Sequence, residues 1–425
     1  MNKQSIAIIG AGVSGLSAAR FLEEKGYKTT VFEREEQPGG LIRCRRVNGN
    51  LFHTCGGHVF NTKRQDIMKW FWKQFNQQEE FAKADRNSVV FLKEGKEIPY
   101  PIENHMFLFD EATQKNFYKD LVCIVRQQGQ QPENFEEFLR GRFGETLYSM
   151  YFQPYNEKIW RRDLRRVPLS WLEGKLPMPT VEEMIFNNVN HVKEKNFVHS
   201  SFWYEKKDGS QFIADRLAEG LDIKYCSDVS RIVKNKNGWE IDGMKYDKVV
   251  FCGNIKDMVK FIVGLDIEKY HEAIDSLESH GTTAAFCEID ANPYSWIYLP
   301  DKNIESHRII CTGNFAASNN HNLPEGRITA TVEFTDKVDK ETIEKNLSRM
   351  PLHPVLLDYK YNPYTYPIQD ADTRRIIREL KRRLAPHGFY FTGRFADWEY
   401  YNMDVAIGAA LDTCHKIRGS TWFAF

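Results

Sequence analysis

The chain opens with two short apolar runs separated by an amphipathic stretch. Residues 6–9 and 29–32 are β-type runs, and residues 16–25 carry apolar positions at helical spacing, followed by Gly26 as a helix stop. This order, completed within about 30 residues, predicts a β-α-β unit with two parallel strands.

A long middle segment, from Arg64 to about Asn196, has a helical pattern. Ile67, Trp70 and Phe71 recur at the spacing of one helix face. We therefore expect an inserted helical domain in this segment.

Between Thr282 and Tyr361 the pattern changes to short β-type runs divided by polar turns. These runs are residues 283–289, 296–299, 308–312 and 328–334. They predict an antiparallel sheet. After them, a strand near residues 388–394 and a helix over residues 405–417 would return to the first domain.

Length and composition limit the possible function classes. With 425 residues, the chain is too long for one compact core. Its 58 basic and 58 acidic residues cancel, so nothing calls for nucleic acid as a partner. The eight cysteines lack metal-ligand spacing, and no apolar stretch reaches about 18 residues. With no secretory leader recognisable either, we expect a cytoplasmic protein without a metal site or a membrane span.

Glycines between the first strand and the first helix indicate a dinucleotide site. Gly10 suits the tight turn, Gly12 lets the backbone approach a pyrophosphate, and Gly15 lets the helix pack closely on the strand. Glu33 closes the second strand, where its carboxylate can accept hydrogen bonds from a ribose. The place of the motif between a strand and a helix strengthens this interpretation.

A second glycine pair, Gly39 and Gly40, bears on which dinucleotide is bound. With the residues before it, the pair resembles the extended fingerprint of FAD proteins, whereas an NAD-type fold with an incidental glycine pair remains the alternative. In an FAD protein, Gly40 and Leu41 would lie at the cofactor. A strand over residues 228–233 would bring the Val229 backbone to the adenine.

The fold class that follows is mixed α/β, with an FAD-binding Rossmann-type domain, an inserted helical domain and an antiparallel β-sheet domain. We assign residues 1–62, 200–262 and 383–425 to the FAD-binding domain. The helical domain takes residues 63–84 and 104–199, and the sheet domain, which would bind substrate, takes residues 85–103 and 263–382.

Five motifs in a fixed order extend over most of the chain. They are Gly-Gly-His-Val-Phe at 56–60, Ile-Pro-Tyr-Pro-Ile-Glu-Asn at 98–104, Pro-Tyr-Asn-Glu-Lys-Ile-Trp at 154–160, Trp-Ile-Tyr-Leu-Pro-Asp at 296–301 and Gly-Arg-Phe-Ala-Asp-Trp-Glu-Tyr at 393–400. In this order they resemble the UDP-galactopyranose mutases, more closely the eukaryotic-type branch. That family lies within the FAD-dependent amine oxidase and protoporphyrinogen oxidase-like superfamily.

The resemblance implies a reaction that interconverts the pyranose and furanose forms of UDP-galactose without net redox change. Reduced FAD would act as a nucleophile through N5, forming an adduct with the sugar, and the furanose would serve a surface polysaccharide. The implied partners are a nucleotide-sugar substrate and NAD(P)H or another reductant, with no nucleic acid. A homodimer is compatible with the resemblance.

The resemblance also implies roles for individual residues. His58 and Arg394 would lie beside the flavin as the catalytic residues. Further residues expected at the cofactor are Gly57, Gly393, Met403 and Asp404. The residues expected at the substrate are Tyr100, Glu103, Asn156, Trp160, Lys175, Tyr298, Arg308, Tyr366, Tyr400 and Asn402. Flat aromatic faces suit the base, and tyrosine hydroxyls with an arginine suit the diphosphate.

Three substrate positions depart from the family pattern. Lys175 stands where the family has a second phosphate-binding arginine, so the planar fork is missing. Glu103 replaces a glutamine at the uracil and cannot donate when ionised. Asn402 follows Tyr400 more closely than its family counterpart does. These departures leave the nucleotide and the sugar open between UDP-galactose and a related UDP- or dTDP-hexose.

Two other functions remain open. An oxidase or dehydrogenase of the amine-oxidase or protoporphyrinogen-oxidase type shares the cofactor fold, and a non-catalytic flavin-binding protein would need only the glycine motifs. A mutase needs an anion site about one diphosphate away from the flavin, and the set of Tyr298, Arg308 and Tyr400 fits that need.

Overall fold

The structure is a computed structural model that describes residues 3–126, 131–169, 179–192 and 201–419. Its strands are β1 (Ser5–Ile9), β2 (Lys28–Phe32), β3 (Cys44–Val47), β4 (Asn50–His53), β5 (Phe81–Asp85), β6 (Ser88–Phe91), β7 (Glu97–Pro99), β8 (Ser201–Glu205), β9 (Ile223–Lys224), β10 (Ile232–Asn235), β11 (Gly238–Ile241), β12 (Met244–Tyr246), β13 (Lys248–Phe251), β14 (Ile262–Val263), β15 (Glu278–Asp290), β16 (Trp296–Tyr298), β17 (Arg308–Ile310), β18 (Arg327–Thr335), β19 (Val355–Ile368) and β20 (Phe389–Phe391). Its helices are α1 (Val13–Glu24), α2 (Gln65–Gln74), α3 (Gln77–Glu80), α4 (Glu111–Arg126), α5 (Phe135–Leu147), α6 (Gln153–Trp160), α7 (Val181–Val189), α8 (Ser210–Ala218), α9 (Ile255–Phe261), α10 (His271–Asp275), α11 (Lys340–Leu347), α12 (Thr373–Leu384) and α13 (Met403–Ile417). Among the described helices, none combines the length and the apolar character needed to cross a bilayer.

Five parallel strands form the first sheet, in the order β20-β13-β1-β2-β9. Alternate residues of β1 face opposite layers: Ile6 and Ile8 pack in a core with α1 and α13, whereas Ala7 and Ile9 pack in a core with α9 and α12. Burial on both faces is typical of parallel sheets. The predicted β-α-β unit is confirmed, and the predicted C-terminal helix is α13, which begins at Met403.

The second sheet has seven strands in the order β19-β15-β18-β17-β16-β6-β7. Neighbouring strands are antiparallel except β16 and β6, which are parallel. The four runs predicted as strands fall on β15, β16, β17 and β18, although β16 and β17 end one and two residues before the predicted runs do. The long edge strand β19 is not among the predicted runs, because Pro363 and Pro367 interrupt its pattern. An edge strand tolerates proline, since one of its sides makes no ladder hydrogen bonds.

Helices α4 to α7 gather around a third core, which they share with Tyr298 and Ile310 of the second sheet. The predicted helical segment is interrupted by β5, which pairs with β8 in a separate ribbon, whereas β6 and β7 lie within residues 85–103, which the sequence assigns to the sheet domain. Helix α2 packs elsewhere: its Ile67 and Phe71 lie in the core around β1 and α1. The domain boundaries stay a prediction, and these contacts tie residues 65–74 to the first sheet.

Candidate active site

The turn between β1 and α1 has the geometry that a dinucleotide needs. Gly10 has φ +100°, a conformation that favours glycine, and its N–H donates to the Phe32 carbonyl at 2.8 Å. A Cβ on Gly15 would lie 1.9 Å from the Gly10 carbonyl oxygen, so only glycine allows α1 to pack this closely. Gly12 is the N-cap of α1, where the first N–H groups of the helix have no partner within the helix.

Gly39 and Gly40 form a second turn that closes against the first. The Gly39 N–H donates to the Ala11 carbonyl at 2.8 Å, and a Cβ on Gly40 would lie 3.2 Å from the Gly12 Cα. Both glycines have positive φ, +121° and +55°. Leu41 follows within a 3-10 turn, Gly40–Ile42. We call the two facing turns the glycine cradle. Its surface consists of backbone atoms, and the side chains of larger residues would occupy the space beside them.

Glu33 lies buried just beyond β2. Its two carboxylate oxygens accept the N–H groups of Ala11 at 2.7 Å and Glu35 at 3.0 Å, and its carbonyl accepts the Ser227 N–H at 2.9 Å. The last contact brings the segment with Val229 to the same place. The strand predicted from residue 228 is wrong at its start, because β10 begins at residue 232, and the chain just before residue 228 bonds to the Glu33 loop through the N–H groups of Cys226 and Ser227.

The C-terminal residues expected at the cofactor also reach the start of α1. Gly393 has φ +120°, and a Cβ there would lie 3.2 Å from the Ser14 Oγ in the first turn of α1. Asp397 holds this turn by accepting the Gly393 N–H at 3.2 Å. Met403 and Asp404 open α13, where burial raises the pKa of Asp404. The Ser14 Oγ donates to the Ala406 carbonyl at 3.5 Å, so the start of α13 lies beside the first turn of α1.

Three polar side chains form a row across the second sheet. Tyr298 on β16 is directly opposite Arg308 on β17, which is directly opposite Glu333 on β18. Directly opposite residues share one face of an antiparallel pair. The Arg308 Nε donates to the Glu333 carboxylate. Although burial opposes its charge, this carboxylate keeps the pKa of Arg308 well above its ordinary value, so Arg308 is a fixed cation.

Arg308 also reaches a pair of stacked tyrosines. Its Nη2 donates to the Tyr366 hydroxyl at 3.0 Å, and the rings of Tyr366 and Tyr400 stack with centroids 5.3 Å apart. The Arg394 guanidinium lies 4.0 Å from the centroid of the Tyr400 ring. The buried Nε of Arg394 has no hydrogen-bond partner within the described part of the chain. We call these four residues the anion cluster, because two arginines flanking two phenols suit a phosphate group.

Glu333 connects the anion cluster to His58. Its second carboxylate oxygen accepts the Gly56 N–H at 2.7 Å, and a Cβ on Gly57 would lie 2.7 Å from Ile310 of β17. Burial, together with the nearby guanidinium of Arg394, lowers the pKa of His58 to about 4. His58 is therefore neutral at neutral pH although it lies close to cations.

The residues expected at the nucleoside lie deeper in the protein. Asn156 and Trp160 on α6 are buried, and the Asn156 amide donates to the Phe152 carbonyl at 2.8 Å. Tyr100 packs on Tyr298 with ring centroids 5.0 Å apart. Tyr100 thus adjoins Tyr298, and Trp160 lies in the same core as Tyr298.

Three further expected substrate residues are less informative. Glu103 is buried. Burial raises the pKa of the Tyr100 phenol, and the nearby charge of Glu103 raises it further. Asn402 is the exposed N-cap of α13. Lys175 lies outside the described residues.

Sequence reasoning misses three polar residues of the site. They are Glu333, Arg86, which donates to the Tyr298 hydroxyl, and Lys158, whose Nζ donates to two carbonyls of the loop between β16 and β17. For Glu333 there was a signal, a lone carboxylate within the β-type run at residues 328–334, since carboxylates are rarely buried without a partner. Arg86 and Lys158 have polar neighbours in the sequence, so their charge alone does not indicate a buried site.

Known proteins resemble this chain in sequence and in fold. A family profile described as an NAD(P)-binding Rossmann-like domain matches residues 8–75. The dTDP-fucopyranose mutase of Escherichia coli is 24% identical over 97% of this chain and 97% of its own length. The solved structure of a reduced UDP-galactopyranose mutase has a TM-score of 0.88 at 22% identity, covering 99% of this chain and 95% of the other, so it shares the fold.

A second bacterial relative is more similar in sequence. The UDP-galactopyranose mutase of Mycoplasma pneumoniae is 33% identical over 98% of this chain and 96% of its own length. Kinship with the eukaryotic-type branch stays a prediction, since both relatives named here are bacterial. At that identity and coverage, the similarity shows that the chain belongs to the UDP-galactopyranose mutase family.

Proposed function

We propose that the protein is a flavin-dependent sugar-nucleotide mutase that interconverts UDP-galactopyranose, or a related UDP- or dTDP-hexose, with its furanose form. The observation that carries this proposal is the anion cluster and its connection through Glu333 to the His58 loop. The two relatives are named for UDP-galactopyranose and dTDP-fucopyranose, so both nucleotides stay in the proposal.

FAD fits the first domain as the cofactor. The glycine cradle and the N-terminus of α1 would take the pyrophosphate, and the Glu33 carboxylate would take the ribose. Val229 would lie at the adenine, and Gly393, Met403 and Asp404 at the flavin end. When bound in its reduced form, FAD would supply a nucleophilic nitrogen with no net redox change.

The anion cluster would bind the diphosphate of the substrate. Glu333 occupies the Nε of Arg308, so the Nη atoms stay available to Tyr366 and to a phosphate. Burial raises the pKa of Tyr366, so its hydroxyl remains protonated and can donate. Arg394 would stabilise negative charge near the flavin, and neutral His58 would accept or donate one hydrogen bond there without adding a charge.

The remaining roles rest on the family resemblance. Tyr100, Glu103, Asn156 and Trp160 would surround the uridine, Tyr298 and Lys175 would assist at the diphosphate, and Asn402 would adjoin the sugar. A cytoplasmic location, a reductant such as NAD(P)H, a homodimer and a role in surface polysaccharide synthesis stay predictions.

An assay run anaerobically, with a second arm in air, tests this function against the oxidoreductase alternative. The purified protein is incubated with UDP-galactofuranose or dTDP-fucofuranose, with and without dithionite, and the pyranose product is measured by chromatography. We expect conversion only in the reduced sample, because the proposed reaction needs electron-rich flavin and consumes no oxidant. Turnover that requires oxygen and releases peroxide would contradict the mutase proposal and favour an oxidase.

A further inference from the structure

Arg43 lies beside the glycine cradle and has no role in the function proposed above. It follows the 3-10 turn Gly40–Ile42, and a Cβ on Gly39 would lie 3.0 Å from the Arg43 Cγ. The stem of Arg43 therefore packs against the turn where the pyrophosphate of FAD is expected.

The guanidinium of Arg43 has few partners for a buried cation. The side chain is 13% exposed, and its buried Nε has no hydrogen-bond partner among the described residues. Its Nη1 lies 3.4 Å from a carboxylate oxygen of Glu35, a long contact to a side chain that is 45% exposed. A buried donor without a partner is costly, so the group is expected to bind a further acceptor.

Lys360 adds a second positive charge at this place. It lies on β19, half-buried, and its pKa is lowered by burial and then by the charge of Arg43. Glu35 is the carboxylate close to both cations. One partly exposed carboxylate does not balance two cations, whereas a pyrophosphate carries enough negative charge to do so.

The backbone of Arg43 is held rigidly. Its carbonyl accepts both the N–H of Thr54 at 3.0 Å and the Thr54 hydroxyl at 3.2 Å. Residue 54 leads into the His58 loop. A donor on a fixed backbone is better suited to hold a ligand than one on a mobile chain.

We propose that Arg43, assisted by Lys360, binds the pyrophosphate of FAD through a charge-assisted hydrogen bond, in addition to the backbone N–H groups of the glycine cradle. This inference rests on the proposed FAD site and not on the mutase reaction. A protein that binds FAD through Arg43 but fails the mutase assay would separate the two proposals.

Affinity measurements on the flavin-free protein test the proposal. The dissociation constants of FAD, ADP and riboflavin are measured by fluorescence and calorimetry for the wild type, Arg43→Met and Arg43→Lys. We expect Arg43→Met to weaken FAD and ADP about tenfold or more, because both carry the pyrophosphate, and to leave riboflavin unchanged. Arg43→Lys keeps the charge but lacks the planar fork, so its loss should be smaller.

Arg45→Met is the matched control. Arg45 lies two residues further along the chain, is 49% exposed and pairs with Asp358, so its loss should change all three affinities much less than the loss of Arg43 changes those of FAD and ADP. Unchanged FAD affinity in Arg43→Met overturns the proposal. So does an equal loss for riboflavin, or an equal loss in Arg45→Met. If Arg43→Met does not fold, Arg43→Lys serves as the test. This variant keeps the charge but changes the geometry of the donors, so wild-type affinity for both FAD and ADP would overturn the role of the planar fork.

Discussion

Glu333 is the carboxylate on which the anion cluster depends. It is fully buried, accepts from Arg308 and from the Gly56 N–H, and lies 3.7 Å from the Nε2 of His307. Removing one partner of a buried ion pair leaves an uncompensated charge, which is more harmful than removing both. The cluster should therefore respond differently to single and double substitutions.

We expect Arg308→Met to weaken UDP binding about tenfold or more, because a charge-assisted contact to phosphate is lost. The same variant should lose about 3–5 kcal/mol of unfolding free energy, because Glu333 remains buried without its cation. Arg308→Met combined with Glu333→Gln should recover much of the stability and none of the affinity. Calorimetry with UDP and denaturant titration measure the two quantities. Wild-type UDP affinity in Arg308→Met would remove Arg308 from the site.

Among the secondary-structure elements, helix α6 is joined to the loop between β16 and β17 by two hydrogen bonds of Lys158. The Lys158 Nζ donates to the Ser306 carbonyl at 3.0 Å and also to the Leu299 carbonyl. This loop connects Tyr298 to Arg308, and α6 carries Asn156 and Trp160. Lys158 thus couples the proposed nucleoside end of the site to its diphosphate end.

Replacing Lys158 by Met should loosen this coupling and weaken UDP binding several-fold. Lys302→Met is the control, because Lys302 is 67% exposed and only 3.8 Å from Glu157 at its closest, so its loss should leave UDP affinity unchanged. Equal UDP affinity in the wild type and Lys158→Met would show that the hydrogen bonds of Lys158 do not position the residues that bind UDP.

A pH titration of stability gives a second measurement on Lys158. Burial lowers the pKa of Lys158 to about 7, against the opposing charge of Asp301. Between pH 7 and the ordinary lysine value, the unfolded chain binds a proton that the native chain does not, so the unfolding free energy should rise with pH. That rise should be smaller in Lys158→Met.

At the scale of the molecule, the loop that contains His58 links the cores of the two sheets, because Phe60 lies in the core around β1 and α1 and the Gly56 N–H donates to Glu333 of β18. The imidazole of His53 lies behind that loop, fully buried, in a hydrogen bond of 2.8 Å with the Tyr204 hydroxyl. The His58 N–H donates to the His53 Nδ1 at 3.4 Å. Burial lowers the pKa of His53 to about 3, so the native protein holds both histidines neutral.

We expect the unfolding free energy to fall as the pH drops from the ordinary histidine value toward about 3. In that window the unfolded chain takes up protons that native His58 refuses down to about pH 4 and native His53 refuses down to about pH 3, at roughly 1.4 kcal/mol per pH unit for each histidine. His53→Gln should make the fall shallower, measured relative to its own stability at pH 7. His321→Gln, at an exposed position, should leave the slope unchanged. A slope that is identical in the wild type and His53→Gln would contradict the assigned cause.

Local patterns in the amino-acid order were enough to determine the glycine turn at Gly10, the β-α-β unit and the four central strands of the second sheet. Their signals lie within a few neighbouring residues, because steric freedom and side-chain alternation are local properties. The same patterns failed at residues 228–231, which follow the contact of Ser227 with the distant Glu33 and form no strand, and at β19, whose edge position removes the usual penalty on proline.

Only the tertiary structure decided the contacts that make the site. Glu333 meets Arg308 and the Gly56 N–H, and Tyr366 stacks on Tyr400, because strand register and sheet packing bring together segments far apart in sequence. The pKa shifts of His58 and Lys158 belong to the same class, since burial exists only after the cores have closed. A sequence names the side chains that carry the chemistry, but long-range packing sets their distances and their charge.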